Sequence, residues 1–206
     1  MTLLFQQSSM GEVERMHNST KALLIVDVQP TFCEGGSLPV QGGNEVAADI
    51  ARFLKSGHGY QHVITTQDWH IQPGQHFASS PDYINTWPEH GLAGSKEAEL
   101  HPELEDVKHL ITHKVKKGMF NAAYSGFEGV DEQEIGLDQT LQRNHVTHID
   151  VVGLALDYCV KATAIDSVGH GYSTRVLTQF SAAVAPETID STISELKNAG
   201  VETVGY

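Results

Sequence analysis

Ala22-Leu23-Leu24-Ile25-Val26 is a continuous apolar run near the start of the sequence, and an acidic residue, Asp27, follows it directly. An unbroken apolar run of this length is typical of a β-strand that is buried on both faces, as in a parallel sheet. Further short strand patterns follow along the chain, and helical patterns separate several of them. The later predicted strands cover residues 62–66, 109–115, 149–154, 174–178 and 201–204, and the predicted helices cover 45–55, 157–169 and 186–199. This alternation predicts a three-layer α/β/α sandwich around a mostly parallel, doubly wound sheet.

The composition is that of one globular domain. The 206 residues are 40% hydrophobic and 19% charged, which is enough for one sizeable core and leaves little room for two. We expect a disordered N-terminal arm over residues 1–20, which are polar and aperiodic, and a single domain over residues 21–206. The net charge of -13 argues against a nucleic-acid partner and against an anionic membrane surface. With two cysteines and no expected signal peptide, we expect a cytoplasmic protein, monomeric or homo-oligomeric, that acts on a small molecule.

Chemically reactive side chains follow the predicted strands at their carboxyl ends, where ligands gather in parallel sheets. Asp27 follows the first strand, and Cys159 lies at the start of the helix that follows the fourth. Free N–H groups and the macrodipole at a helix start lower the pKa of a thiol, so Cys159 is the expected nucleophile. The backbone N–H groups of Ala155 and Cys159 are placed to bind an oxyanion. Desolvation by its apolar strand should raise the pKa of Asp27 and make it a usable base.

Two points at this sheet edge stay open from spacing alone. A lysine should pair with Asp27 and with the thiolate, and Lys114, Lys116 and Lys117 are all candidates. The second cysteine, Cys33, lies in a loop without a predicted helix start over it. We therefore interpret Cys33 as a structural or pocket-lining thiol.

The long segment from Asp68 to Glu99 carries a cluster of metal-ligand residues, and loops of this length are usually functional or disordered. Asp68 and His70, two positions apart in an extended segment, point to the same side. His76 follows a Pro-Gly turn, and His90 is a further imidazole in the same loop. Three imidazole nitrogens and one carboxylate oxygen suit Fe²⁺, Mn²⁺ or Zn²⁺. The sequence therefore predicts one divalent transition metal ion, a zinc, iron or manganese ion.

Four sequence motifs carry a resemblance to a known family. They are LLIVDVQPTFCEGGSLPVQGG at 23–43, QDWHIQPGQHF at 67–77 with PDYINTWPEHG at 81–91, KKGMFNAAYSGFEG at 116–129, and VVGLALDYCV at 151–160. On these motifs the sequence resembles the nicotinamidases, also called pyrazinamidases, of the isochorismatase-like cysteine hydrolases, from residue 22 to the C-terminus. The resemblance implies hydrolysis of nicotinamide to nicotinate and ammonia, and of pyrazinamide to pyrazinoate, through a thioester. It also implies a part in recycling nicotinamide adenine dinucleotide.

The resemblance also implies roles for individual residues. The catalytic triad would be Asp27, Lys117 and Cys159, and a cis peptide would join Leu154 to Ala155. The implied metal ligands, with water completing the shell, are Asp68, His70, His76 and His90. The residues expected to line or flank a slot for a flat aromatic ring are Phe32, Trp87, Tyr124 and Tyr158.

Residues around the pocket also depart from the family pattern. The departures are Pro30, Thr31, Leu156 and Tyr158. They leave the reaction class intact, but the exact substrate range stays open. Two other functions fit the same residues: another amidase of the superfamily, acting on a carbamoyl or ureido compound, or a catalytically silent small-molecule-binding protein on the same fold.

Overall fold

The computed structural model describes residues 19–206, which build one six-stranded sheet with helices on both faces. The strands are β1 (Thr20–Val26), β2 (His62–Asp68), β3 (His113–Lys117), β4 (Val146–Leu154), β5 (Ser173–Ala182) and β6 (Glu202–Val204). Their order across the sheet is β3-β2-β1-β4-β5-β6, and every neighbouring pair is parallel. The predicted fold class is confirmed. Most of the predicted N-terminal arm, residues 1–18, lies outside the described residues.

The helices cover the two faces of this sheet. They are α1 (Gly43–Lys55), α2 (Leu137–Arg143), α3 (Lys161–Gly169) and α4 (Ile189–Asn198), with a π-helical turn (Leu156–Val160) directly before α3 and a 3-10 segment at Pro102–Leu110. Leu23 and Ile25 of β1 pack in the core formed with α1 and the 3-10 segment, whereas Leu24 and Val26 pack in the core formed with α2, α3 and α4. The apolar run is continuous because successive side chains of one strand enter opposite cores.

The strand order reverses direction between β1 and β4, and this is the point at which a doubly wound sheet opens a crevice for ligands. The two backbones approach closely at Gly153, where a Cβ atom would lie 2.1 Å from the carbonyl oxygen of Val26. Only glycine fits there, and its φ of 115° is one that other residues rarely adopt. The peptide bond between Leu154 and Ala155 is cis, as the resemblance implies.

Two elements differ from the sequence prediction. The third strand was expected over residues 109–115, but Leu110 ends the 3-10 segment and the strand runs from His113 to Lys117. Leu110 and Ile111 are apolar because they pack against the core on the α1 side, not because they belong to the sheet. Helix α2 was not predicted, since seven residues are too few for a clear helical pattern.

No helix within residues 19–206 is both long and apolar enough to cross a membrane.

Candidate active site

A buried lysine lies at the centre of the cluster at the carboxyl ends of the strands. Its Nζ is 2.9 Å from Asp27 Oδ2, 3.7 Å from Cys159 Sγ and 3.0 Å from the carbonyl oxygen of Ala123, and it also donates to Asp68 Oδ1. This lysine is Lys117, which is 1% exposed. Side chains alternate along β3, so Lys117 shares the buried face with Val115, whereas Lys114 is exposed. The structure thus brings together Asp27, Lys117 and Cys159.

Burial and charge act in opposite directions on this cluster. Burial raises the pKa of Asp27 although Lys117 opposes it, and the direction agrees with the sequence prediction. Burial would lower the pKa of Lys117, but Asp27 and Asp68 raise it well above its ordinary value, so its ammonium stays charged. Burial would raise the pKa of Asp68, but Lys117 and the neighbouring histidines hold it well below the usual range.

The sequence prediction for Cys159 was wrong in one respect. Burial raises the pKa of its thiol well above the ordinary value, and the attraction of Lys117 only partly offsets this. Cys159 lies within the π-helical turn rather than at the first residue of a helix. The thiol in the resting site is therefore protonated, and a nearby base is needed to form the thiolate.

Three histidines gather beside this cluster. His70, His76 and His90 each offer one ring nitrogen, and these nitrogens lie within 4.8 Å of one another. The Nδ1 atoms of His70 and His90 lie 2.6 and 2.7 Å from the carbonyl oxygens of Gly118 and Pro88, so their Nε2 atoms are left to bind another group. Contacts of this kind commonly orient metal-binding imidazoles.

Asp68 completes the donor set of this histidine cluster. Its Oδ2 atom lies 3.5 Å from His70 Nε2 and 3.7 Å from His90 Nε2, while its Oδ1 atom accepts from Lys117. Within the described chain, His70 Nε2 and His76 Nδ1 are buried without a hydrogen-bond partner. Burial also lowers the pKa of His76 to about 4, which keeps its imidazole neutral. Neutral, unpartnered imidazole nitrogens around a carboxylate fit a divalent transition metal ion.

An apolar pocket opens between the thiol and the histidines. The four aromatic residues expected to line a slot, Phe32, Trp87, Tyr124 and Tyr158, all line it. Trp87 Nε1 donates to the hydroxyl of Tyr124 at 3.0 Å, and the ring of Tyr158 meets that of Trp87 edge-on at a centroid distance of 5.3 Å. The pocket therefore has aromatic walls, with Cys159, Asp68, His76 and His90 also lining it. Such walls suit a flat aromatic ring.

Comparison with known proteins identifies the family to which the chain belongs. The profile of the isochorismatase domain matches residues 21–205. The chain belongs to the isochorismatase family.

Several members of the family are similar over nearly their whole length. A nicotinamidase/pyrazinamidase of Mycobacterium tuberculosis is 45% identical over 184 residues, which cover 89% of this chain and 98% of that protein. A protein of L. infantum solved in complex with nicotinate superposes with a TM-score of 0.79 at 31% identity, covering 91% of this chain and 93% of the other. The pyrazinamidase of Pyrococcus horikoshii, solved in complex with zinc, gives a TM-score of 0.74 at 29% identity, covering 90% of this chain and 99% of the other.

Four pocket residues of this isochorismatase-family site were not named in the sequence analysis. They are Leu38, Val40, Ala123 and Val184. Val184 is brought to the pocket by Asp157, whose Oδ1 atom accepts from the N–H of Val184 at 2.9 Å and whose Oδ2 atom accepts from the N–H of Ala185 at 3.1 Å. These contacts are tertiary, so neither periodicity nor spacing in the sequence indicates them.

Gln29 is a further residue that sequence reasoning missed. Its carboxamide accepts from the N–H of Asp68 at 2.9 Å and donates to the carbonyl oxygen of the same residue at 3.0 Å. The side chain thus continues the backbone pairing of β1 beyond its last residue. It fixes the backbone of Asp68, whose carboxylate contacts both Lys117 and the histidines.

Proposed function

We propose that this chain is a metal-dependent cysteine amidohydrolase that converts nicotinamide to nicotinate and ammonia, and pyrazinamide to pyrazinoate. The observation that carries the proposal is the position of Asp68. One oxygen of its carboxylate contacts Lys117, which also reaches Asp27 and Cys159, and the other faces the histidine cluster. Cys159, Asp68, His76 and His90 line one aromatic pocket, and Lys117 links the buried Asp27 to Cys159 and Asp68. The nicotinamidase and pyrazinamidase relatives support the same substrate.

In the proposed reaction, Asp27 takes the proton of the Cys159 thiol and the sulfur attacks the amide carbon. The N–H groups of Ala155 and Cys159 hold the oxygen that becomes negative. Asp27 then gives the proton to the leaving nitrogen, so ammonia departs and a thioester remains. A water molecule, deprotonated by Asp27, attacks the thioester and releases nicotinate. Lys117 keeps its positive charge throughout and balances the carboxylate and the thiolate.

The residues proposed to hold the metal ion are Asp68, His70, His76 and His90. A divalent zinc, iron or manganese ion there would supply a Lewis-acid site for the ring nitrogen of the substrate. Phe32, Trp87, Tyr124 and Tyr158 would hold the ring flat between them.

We further propose a single domain over residues 21–206, a cytoplasmic location, and a small molecule rather than nucleic acid or membrane as the partner. Two features support this: the strands from β1 to β6 form one sheet, and the charge is strongly negative. Both cysteines are free, as a reducing compartment would keep them.

The test is ammonia release from nicotinamide, pyrazinamide and a carbamoyl compound, each with and without a chelator. We expect release from the two aromatic amides, its loss on chelation, and its loss in the Cys159→Ala variant. Turnover of the carbamoyl compound alone, unaffected by chelator, would favour another amidase of the superfamily. Thermal protection by nicotinamide without any ammonia would indicate a binding protein instead.

A further inference from the structure

Thr66 makes a two-way contact with the acidic residue that we take as the base. Thr66 lies in β2 and is fully buried, next to Asp27, the residue that directly follows β1. The N–H of Asp27 lies 3.2 Å from both the carbonyl oxygen and Oγ1 of Thr66 and is shared between them, and Thr66 Oγ1 donates to Asp27 Oδ1 at 2.6 Å. The contact links the backbone of Asp27 to its own carboxylate through one hydroxyl group.

The direction of the hydroxyl proton follows from this arrangement. A threonine hydroxyl has one proton to donate and lone pairs to accept with. Because its oxygen accepts from the N–H of Asp27, its proton is available for Oδ1. The other oxygen, Oδ2, lies 2.9 Å from Lys117 Nζ, and the same ammonium lies 3.7 Å from Cys159 Sγ. The two oxygens of Asp27 therefore have different surroundings.

We propose that Thr66 is a positioning residue that fixes the Asp27 carboxylate, so that Oδ1 is held by the hydroxyl and Oδ2 exchanges the proton with Cys159. The carboxylate needs such a contact because rotation about its last side-chain bond is only weakly restricted. Asp27 also has a φ of 49°, a left-handed backbone conformation that is uncommon outside glycine. The backbone alone therefore does not hold the carboxylate in an ordinary strand orientation.

This inference rests on the proposed function, since it takes Asp27 as the base for Cys159. It names which oxygen acts and what holds the other one. Lys117 also contacts Oδ2, but because either carboxylate oxygen can accept from an ammonium, this ion pair does not by itself select one rotation of the carboxylate. The Thr66 hydroxyl does, because both of its hydrogen bonds go to the same residue.

The adjacent residue offers a matched control. Thr65 is fully buried in the same strand, and its Oγ1 has no hydrogen-bond partner within the described chain. Thr66→Val and Thr65→Val therefore make the same change in shape at neighbouring positions, but only the first removes a hydrogen bond to Asp27. Thr66→Val also keeps the methyl group that packs beside Gly126. Thr66→Ser keeps the hydroxyl, and Thr66→Ala gives a second variant without it.

The first measurement is kcat and KM for ammonia release from nicotinamide. We expect Thr66→Val and Thr66→Ala to lower kcat by about 10- to 100-fold with little change in KM, because a misplaced base slows proton transfer but not binding. Thr66→Ser should stay within about threefold of the parent enzyme, since its hydroxyl rebuilds the contact. Thr65→Val should match the parent in both constants.

The second measurement needs no substrate: the rate at which iodoacetamide alkylates Cys159 at fixed pH, followed on the Cys159 peptide by mass spectrometry. We expect slower alkylation in Thr66→Val and Thr66→Ala, and parent rates in Thr66→Ser and Thr65→Val. Parent-like alkylation in the first two would overturn the proposal, even if thermal stability or kcat falls. If nicotinamide is not turned over by the parent enzyme, the proposed function fails, while the alkylation series still decides the role of Thr66.

Discussion

Lys117 Nζ lies 2.9 Å from Asp27 Oδ2, and both side chains are fully buried. The same ammonium also contacts Asp68, so one positive charge faces two buried carboxyl groups. Breaking a buried ion pair by removing one partner is costly, because the charge left behind has neither water nor a counter-charge. The lysine is therefore expected to hold the site together as well as to balance charge during the reaction.

Replacement of Lys117 by methionine tests this relationship. We expect the free energy of unfolding, measured with urea, to fall by about 3 to 5 kcal/mol, and ammonia release from nicotinamide to be lost. Lys116→Met is the control, because Lys116 is partly exposed and its ammonium lies over the Trp69 ring at 3.5 Å. Loss of this contact in Lys116→Met should lower the free energy of unfolding by about 0.5 to 1 kcal/mol. Equal urea midpoints for the two variants would contradict the expectation.

The segment at Val184, which forms part of the pocket wall, gives a second prediction. Asp157 accepts from the N–H groups of Val184 and Ala185 and from the hydroxyl of Thr188. Asp157→Asn replaces one acceptor oxygen by a donor that faces other donors, so the wall should loosen. We expect KM for nicotinamide to rise several-fold, with a smaller change in kcat, and stability to fall by about 1.5 to 3 kcal/mol. Thr188→Val removes a single hydroxyl and should have a smaller effect on both; an unchanged KM in Asp157→Asn would refute the link to the pocket.

Gly118 connects the backbone after β3 to the histidine cluster. Its carbonyl oxygen lies 2.6 Å from His70 Nδ1, and a Cβ atom on Gly118 would lie 2.5 Å from His70 Cε1. Gly118→Ala should displace the imidazole and weaken zinc binding by about 10- to 100-fold, as measured by competition with a chelating dye. Gly171→Ala is the control: Gly171 also has a positive φ, but a Cβ atom there would meet nothing within 4 Å. Both variants share the backbone strain, so equal zinc affinities would show that the contact with His70 has no effect.

Much of this site follows from the first strand. The run 22–26 predicts a doubly buried strand because each of its side chains enters one of two cores, and Asp27 then stands at the sheet edge. The sequence does not predict that Lys117 lies inside β3. The apolar residues Leu110 and Ile111 place the predicted strand at 109–115, earlier than the observed one. Their hydrophobicity serves packing outside the sheet.

What sequence reasoning missed shares one physical origin. Gln29, Thr66 and Val184 act through contacts between segments far apart in the chain, and such contacts leave no local pattern. The expectation of a lowered pKa for Cys159 was wrong for a similar reason, since it considered only the local helix and not the packing around the thiol. Helix position can be inferred from the sequence, whereas burial of the thiol, which has the larger effect on its pKa, depends on the packed fold.

Cys33 provides a prediction for alkaline solution that does not involve catalysis. The residue is 1% exposed, and burial together with nearby Glu34 raises the pKa of its thiol to about 12, from an ordinary value of 9.0. Between these two pH values the unfolded chain loses the proton while the folded chain keeps it. The unfolded state then binds fewer protons, so Cys33 makes the free energy of unfolding fall as pH rises, by at most about 1.4 kcal/mol per pH unit.

In urea titrations above about pH 9, we expect the free energy of unfolding of Cys33→Ala to decline less steeply with pH than that of the parent, apart from a constant offset for the lost side chain. Tyrosines and Cys159 titrate in both proteins, so the difference between the two curves isolates Cys33; parallel curves would mean that its thiol ionises as easily folded as unfolded.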